Sequence, residues 1–121
     1  MDAGLTIAVR RERGCAIVAV TGEIDISTVA GLRERLYELA ESGQQLIVDL
    51  DQVTFIDSAG LGALVGTSRR TAEHGGSLRA VCENAQTRKL LWLTGVDRRI
   101  TLEDSLDGAL ASAAASPDSS G

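Results

Sequence analysis

Apolar and polar positions along the chain follow two spacings, one typical of strands and one typical of helices. Leu5, Ile7 and Val9 recur at every second residue, which predicts a half-buried strand. After a polar turn, residues 15–20 form a β-rich apolar run that predicts a second strand paired with the first. Three later apolar runs predict further strands: residues 46–48, 77–81 and 100–102.

Four other segments carry apolar residues at three- and four-residue steps, the spacing that gives a helix one apolar face. The first of these faces consists of Val29, Leu32, Leu36 and Leu39. Each segment follows a residue whose side chain can accept hydrogen bonds from the first free amides of a helix: Ser27, Ser58, Asn84 and Ser105. Glycines follow the first three segments and are expected to end those helices.

The resulting order is two strands, then helix, strand, helix, strand, helix, strand and helix. This alternation predicts an α/β domain: one mixed, mostly parallel β-sheet with about four α-helices and right-handed crossovers. Residues 1–115 are expected to form this single domain, because a chain of 121 residues suits one core. Residues 116–121 are polar, include the single proline and are expected to form a disordered tail.

Composition excludes several classes of function. The net charge is −5, from 12 basic and 17 acidic residues, and aromatic residues make up only 2% of the chain, which argues against nucleic acid as a partner. No apolar run approaches the roughly 18 residues that cross a bilayer. The first residues do not resemble a signal peptide either. We therefore expect a cytoplasmic protein that binds neither nucleic acid nor membrane.

The cysteines and the single histidine offer no metal chemistry. Cys15 and Cys82 lie far apart in apolar surroundings and are expected to be reduced core thiols rather than a redox disulfide. With one histidine and no Cys-x-x-Cys motif, the chain lacks the ligand set of a structural zinc site. We expect neither a metal nor a cofactor.

The junction between the third strand and the second helix, residues 53–62, contains the strongest functional signal. An apolar run ends at Asp57 and Ser58, and Gly60 and Gly62 follow in the first helical turn. Ser58 is predicted to cap the helix, with its hydroxyl at the surface beside a carboxylate. Such a serine can be structural, nucleophilic or a phosphorylation switch.

Neither catalysis nor nucleotide binding suits this junction. A hydrolase nucleophile elbow needs a glycine two residues before the serine, and Ile56 occupies that position. His74 follows the far end of the same helix, about 24 Å from Ser58, which is too far for it to act as the base. The junction has no P-loop, and Asp57 would repel a bound nucleotide unless a cation intervened. Weak, incidental binding of a nucleotide at the start of the helix stays open.

A phosphorylation switch uses all of these features together. An exposed serine at the rigid start of a helix is accessible to a kinase, and a phosphate there lies at the positive end of the helix dipole. The fold should therefore tolerate the modification. A docked partner, by contrast, would meet about 1.5 to 2 new negative charges beside Asp57.

From Leu5 to about Ala113 the chain resembles bacterial anti-sigma factor antagonists, which are stand-alone STAS domains (sulphate transporter and anti-sigma factor antagonist). The most specific motif is Asp-Ser-Ala-Gly-Leu-Gly at residues 57–62, between a strand and a helix. Weaker motifs support the resemblance: Gly-Glu-Ile-Asp at residues 22–25, Val-Asp-Leu at residues 48–50, and residues 90–96 and 105–110.

The resemblance implies partner switching, a form of transcription regulation used in bacterial stress responses. In this family the unphosphorylated protein binds an anti-sigma factor, usually a serine kinase, and so frees a sigma factor. The kinase phosphorylates the serine that matches Ser58, which ends the interaction, and a serine phosphatase restores the active form. The implied protein is a phosphoprotein and not an enzyme, present as a monomer or weak dimer.

The resemblance also implies a partner-binding surface around Ser58. Its expected members are Asp25, Thr28, Asp57, Ser58, Ala59, Gly60 and Gly62. Structural alternatives remain open at this point. Asp25 could help to cap the first helix, and Asp57 could stabilise the second helix through its dipole. Thr28 could be structural, and Gly60 and Gly62 could serve close packing.

Two other functions stay open. The chain could be a STAS subunit of another assembly, such as a transporter accessory protein or a stress-sensing complex, in which Ser58 is never modified. It could also be an enzyme with Ser58 as its nucleophile, although the residues around Ser58 argue against that.

Away from this junction, two predictions concern surface and core. Arg69 and Arg70 are expected on a solvated helix face. Trp92 is expected in the core or half-buried, because Leu91 and Leu93 flank it.

Overall fold

The computed structural model describes residues 4–115, and in this range the chain forms five strands and four α-helices in the predicted order. The elements are β1 (Leu5–Glu12), β2 (Cys15–Ile24), α1 (Val29–Glu41), β3 (Gln45–Ile56), α2 (Ser58–Glu73), β4 (Ser77–Val81), α3 (Ala85–Thr94), β5 (Thr101–Glu103) and α4 (Leu106–Ala115). A 3₁₀ turn at Val96–Arg98 joins α3 to β5. The tail expected at residues 116–121 lies outside the described residues.

The strands lie side by side in one sheet, in the order in which they occur along the chain. β1 and β2 are antiparallel and are joined by a tight turn, in which Arg13 and Gly14 have positive φ angles of 51° and 79°. β3, β4 and β5 each lie parallel to the preceding strand. The prediction of a mixed, mostly parallel sheet is confirmed.

Helices cover both faces of the sheet, because successive residues of a strand point to opposite faces. Val18 and Val20 of β2 belong to the main core, to which α1, α2 and α3 contribute. Cys15 and Ile17 of the same strand pack against α4 in a smaller core. Cys15 and Cys82 are buried free thiols, and burial raises the pKa of each. Within residues 4–115, no helix combines the length and the apolar character needed to cross a membrane.

β2 and β3 extend beyond their apolar runs, so their predicted ends are wrong. β3 continues to Ile56 because Leu50, Val53 and Ile56 remain buried on the inner face while polar residues occupy intervening positions. β2 continues to Ile24, which pairs with Ile56. This pairing satisfies backbone hydrogen-bonding groups beyond the point where β4 ends.

Two of the four predicted helix caps are confirmed. Asn84 and Ser105 each accept a hydrogen bond, at 3.0 Å, from the amide three residues later. Gly95 follows α3 in the left-handed conformation, with φ of 80°, as expected for a glycine that ends a helix. Ser27 and Ser58 do not cap their helices.

Trp92 is exposed, so the expectation of a core or half-buried position is wrong. Consecutive helical residues differ by about 100° in direction, and the four apolar residues at positions 90–93 therefore cannot all face the core. Leu91 is fully buried, whereas Trp92 and Leu93 are 65% and 63% exposed. The last turn of α3 thus presents apolar surface to solvent.

Arg70 connects α2 to α1, whereas Arg69 is exposed as expected. The Arg70 guanidinium lies 3.3 Å from a carboxylate oxygen of Glu41 and 4.0 Å from the centroid of the Tyr37 ring. The prediction of a solvated helix face is therefore confirmed for Arg69 only.

Candidate functional site

The parallel register of β2 and β3 brings two acidic residues together at one edge of the sheet. Ile24 and Ile56 are paired where these strands end, and Asp25 and Asp57 follow them in the chain. The Asp57 amide donates a hydrogen bond to the Ile24 carbonyl oxygen at 3.1 Å, which ties the two ends together. We call this region, at the C-terminal ends of the inner strands β2 and β3, the carboxyl edge. It consists of residues 23–28 and 55–60.

Asp57, not Ser58, caps α2. The Asp57 Oδ1 accepts hydrogen bonds from the amides of Ala59 (2.9 Å) and Gly60 (3.2 Å), and the Asp57 backbone is extended. A carboxylate at this position satisfies two free amides and places a negative charge at the positive end of the helix. Asp57 therefore displaces Ser58 from the capping position, and the sequence prediction is corrected by one residue.

Ser58 is the first residue of α2, and its side chain is exposed. Within residues 4–115 its hydroxyl has no hydrogen-bond partner, because Asp57 already occupies the nearby amides of Ala59 and Gly60. The Ser58 hydroxyl is therefore positioned by the first turn of α2 and remains accessible to another molecule.

Asp25 organises the turn that connects β2 to α1. Its Oδ1 accepts hydrogen bonds from the Ser27 hydroxyl (2.6 Å), the Ser27 amide (2.9 Å) and the Thr28 amide (3.1 Å). The bond from the Ser27 hydroxyl is the largest cause that lowers the pKa of the Asp25 carboxyl, and the amide bonds add to it. The Asp25 carboxylate therefore stays ionised and stabilises the turn before α1.

Ser27 donates to this carboxylate and is not the cap of α1. Thr28 occupies the N-cap position, but its side chain makes no capping bond. Instead, Thr28 Oγ1 donates to the Glu23 carbonyl oxygen at 2.8 Å and accepts from the Asp25 amide at 3.0 Å. Thr28 is therefore a structural residue of the turn, one of the two alternatives that its sequence position left open.

The two glycines at the start of α2 have different surroundings. Gly60 is buried, and a β-carbon there would lie 2.6 Å from the Ile24 side chain and 2.7 Å from the Ile56 side chain. Gly62 is exposed, and a β-carbon there would have no neighbour within 4 Å. Close packing thus explains Gly60, as the sequence suggested, and does not explain Gly62.

Two apolar residues at the carboxyl edge escaped the sequence analysis. Ile26 is 79% exposed in the turn after Asp25, and Phe55 is 51% exposed near the end of β3. Phe55 precedes the buried Ile56, so strand alternation places its side chain on the opposite face of the sheet. The alternation along β3 could have predicted that Phe55 is exposed. The polar residues that flank Ile26 could have predicted the same for Ile26.

Among residues 4–115, no catalytic group approaches Ser58 from the far end of α2. His74 follows the last residue of that helix, and its Nδ1 lies 2.9 Å from the Arg70 carbonyl oxygen. A groove of about 620 Å³ lies near this far end, lined in part by Ser68, Thr71 and Arg98, and includes no residue of the carboxyl edge. Among the described residues, no group of three metal-binding side chains is arranged to hold an ion.

Comparison with known families assigns the fold that carries this edge. The family described as "STAS domain" matches residues 6–109. The chain belongs to the STAS domain family. The match spans all but the first residue of β1, all of β2 to β5 and part of α4, so the carboxyl edge lies within the part that defines the family.

Relatives of this STAS domain include stand-alone proteins of similar length. The anti-sigma-B factor antagonist of Bacillus subtilis is 32% identical over 106 residues, which cover 88% of this chain and 97% of the relative. The anti-sigma-F factor antagonist RsfB of Mycobacterium tuberculosis is 33% identical over 107 residues, which cover 88% of this chain and 87% of the relative.

A solved structure has the same architecture. The crystal structure of an anti-sigma factor antagonist from Mycobacterium paratuberculosis superposes with a TM-score of 0.85 at 30% sequence identity. The superposition covers 94% of this chain and 97% of the other. This chain is therefore similar, over nearly its whole length, to proteins that act as anti-sigma factor antagonists according to their names.

Proposed function

We propose that this protein is an anti-sigma factor antagonist, that its unphosphorylated carboxyl edge binds an anti-sigma factor, and that phosphorylation of Ser58 ends the binding. The observation that carries the proposal is the exposed Ser58 hydroxyl, which has no hydrogen-bond partner within residues 4–115 and stands at a rigid helix start beside Asp57. The names of the relatives support the partner class.

The docking surface combines charge with apolar anchors. Asp25 and Asp57 are ordered carboxylates that a basic surface of the anti-sigma factor would complement. Ile26 and Phe55 are exposed and offer the apolar contacts that a stable complex needs near its centre. Gly62 leaves bare backbone on the exposed side of α2, where a partner can approach closely.

Other members of the expected surface act indirectly. Gly60 is buried and allows α2 to lie against the ends of β2 and β3. Thr28 fixes the turn that carries Asp25 and Ile26. Ala59 is half-buried in the first turn of α2 and lies beside Ser58. These three residues shape the edge, whereas a partner would touch the groups accessible around them: Asp25, Ile26, Phe55, Asp57, Ser58 and Gly62.

The modification transfers the γ-phosphoryl group of ATP to the Ser58 Oγ, with release of ADP and the hydroxyl proton. The anti-sigma factor, as a serine kinase, supplies the catalytic site, and a serine phosphatase returns the hydroxyl. In this account the chain is a substrate and not an enzyme, and it acts in the cytoplasm. The phosphate adds about 1.5 to 2 negative charges next to a carboxylate that already caps α2.

Because Asp57 already occupies two amides of the helix start, the new charge remains directed at the partner. An acidic surface that was favourable for docking then becomes too negative and too strongly hydrated for the same contact. The fold should be little affected, because the modified hydroxyl makes no internal hydrogen bond within the described residues.

Intact-mass spectrometry tests the modification. After incubation with the anti-sigma kinase and ATP, we expect the mass to rise by one phosphate in the wild type and in Ser27→Ala, but not in Ser58→Ala. Ser27 is the matched control, because it is an exposed serine of the same edge whose hydroxyl is engaged by Asp25. Modification of Ser58→Ala would contradict the assignment. If the wild-type protein binds the kinase stably but is not modified, that result would favour the alternative that the chain is a STAS subunit without a phosphorylation switch.

A further inference from the structure

A second exposed apolar surface lies on α3, away from the carboxyl edge. Trp92 and Leu93 are 65% and 63% exposed near the C-terminal end of that helix. Grooves of about 390 Å³ and 480 Å³ flank the indole, and Trp92 and Asp97 line both of them. The tryptophan patch is defined as Trp92, Leu93, Lys89, Asp97 and Arg98.

The tryptophan patch carries two basic residues and one acidic residue, Asp97, and so has a net positive charge in a chain that is acidic overall. Lys89 lies one helical turn before Trp92, and Arg98 lines one of the two grooves. Neither forms an ion pair within residues 4–115, whereas the nearby Arg88 is paired with Asp104 at 2.9 Å. Exposed apolar side chains flanked by free cations call for an apolar and acidic counterpart.

The carboxyl edge of the same protein has that chemistry. Ile26 and Phe55 are exposed there, with Glu23, Asp25 and Asp57 around them. The edge, residues 23–28 and 55–60, contains no lysine or arginine. Its apolar and charged groups therefore complement those of the tryptophan patch.

One molecule cannot join its own two surfaces. Asp49 is the last residue of β3 that pairs with β4, and β3 continues for seven residues beyond it. The carboxyl edge therefore lies about 20 Å past the end of β4. α3 starts just after β4 and belongs to the connection between β4 and β5. Because these two strands are parallel, that connection runs back along the sheet, which carries Trp92 towards the other end of the strands. Contact between the surfaces therefore requires a second copy.

We propose that copies of this chain associate head to tail, with the tryptophan patch of one copy on the carboxyl edge of the next. Symmetric pairing of two tryptophan patches is less favourable than this contact, because each patch has a net positive charge whereas the carboxyl edge is acidic. A head-to-tail contact does not close on two copies, so larger species form as concentration rises. Each surface is small, so the association is weak, and it covers Ser58.

The intrinsic fluorescence of Trp92 reports on this contact directly, because it is the single tryptophan of the chain. As wild-type protein is concentrated from about 10 µM to about 1 mM, we expect the emission to shift to shorter wavelength and the sedimentation coefficient to rise together, as for a small, weak interface. Raising the ionic strength from about 0.01 M to about 1 M should weaken association by roughly threefold to tenfold.

Two variants separate the surfaces. Trp92→Ala and Ile26→Lys change exposed side chains, and each should be monomeric alone. Their equimolar mixture should form a dimer and nothing larger, because each variant retains the surface that the other lacks. The tryptophan of Ile26→Lys should shift in emission only in that mixture. Ala111→Lys, an exposed charge change on α4, should associate like the wild type.

Three results would overturn the proposal. One is a wild type that stays monomeric over the whole concentration range at low salt. Another is association of Ile26→Lys alone at the wild-type level, which would indicate pairing of tryptophan patches. The third is a tryptophan shift with anionic lipid vesicles but not with concentration, which would make the patch a membrane surface. The experiment uses purified protein alone, so its outcome is independent of the proposed anti-sigma binding.

Discussion

Asp57 and Ser58 are neighbours in the chain but differ in what they do at the start of α2. Asp57 accepts hydrogen bonds from two amides and stabilises the helix, whereas the Ser58 hydroxyl forms no internal bond within the described residues. Helix capping and the proposed modification thus fall on different side chains. Phosphorylation of Ser58, as proposed, would add charge without removing the Asp57 cap.

Substitution of these two residues should separate the roles. Asp57→Ala should reduce the free energy of unfolding by about 1 kcal/mol, and Asp57→Asn, which can still cap, by less. Ser58→Ala should change it by less than about 0.5 kcal/mol. Urea denaturation of the three variants is the measurement. A larger loss in Ser58→Ala than in Asp57→Ala would show that the serine is the cap after all.

Gly60 and Gly62 form a second matched pair, two residues apart on one helix. Gly60→Ala should reduce the free energy of unfolding by about 1–3 kcal/mol, because the new methyl group meets the Ile24 and Ile56 side chains. Gly62→Ala should raise it by about 0.5–1 kcal/mol, because the methyl group meets nothing and alanine favours the helix. Equal effects in thermal or urea denaturation would contradict the packing described.

The helix start and the surface position of Ser58 were predictable from the sequence, but the residue that caps the helix was not. Asp, Ser and two glycines at a strand-to-helix junction identify a helix start and a surface serine. Both Asp57 and Ser58 are good capping residues, and local preference does not choose between them. The choice depends on where β3 ends, which is set by pairing of Ile56 with Ile24, a contact between distant parts of the chain.

At the scale of elements, the turn between β2 and α1 is held by an ionised carboxylate. The hydrogen bonds that Asp25 accepts from Ser27 and Thr28 favour its charged form and lower its pKa. The stabilisation that they provide is therefore present above the ordinary pKa of 3.8 and is lost as the pH falls through the lower folded value. As the pH is lowered, this turn should lose its order before α1 unfolds.

An NMR titration of the Asp25 carboxyl carbon measures this effect. We expect a midpoint below 3.8 in the wild type and a rise towards 3.8 in Ser27→Ala, because the largest cause of the lowered pKa is removed. The stability difference between wild type and Asp25→Ala should be full at neutral pH and shrink below about pH 4. An unchanged midpoint in Ser27→Ala would refute the role given to its hydroxyl.

The existence and order of the elements could be read from periodicity, because apolar spacing is a local property. The ends of β2 and β3 could not, because their last residues are held by mutual pairing and not by apolar runs. Trp92 could not be placed either. A helix buries one face, and which of four consecutive apolar residues faces inward depends on how α3 sits on the sheet.

At the scale of the whole molecule, two exposed surfaces differ in the sign of their net charge. The carboxyl edge is acidic and includes Ser58, whereas the tryptophan patch has a net positive charge and lies towards the other end of the strands. The partner for one surface can thus be engaged or released without a change in the core between them.

The central claim is that Ser58 switches partner binding without unfolding the domain. It is tested most directly by titrating the anti-sigma factor into the unmodified and the Ser58-phosphorylated protein in a calorimeter, with the melting temperature of both forms recorded. We expect phosphorylation to weaken binding by about tenfold or more, with nearly equal melting temperatures of the two forms. Equal affinity of the two forms, or loss of binding that accompanies unfolding, would contradict it.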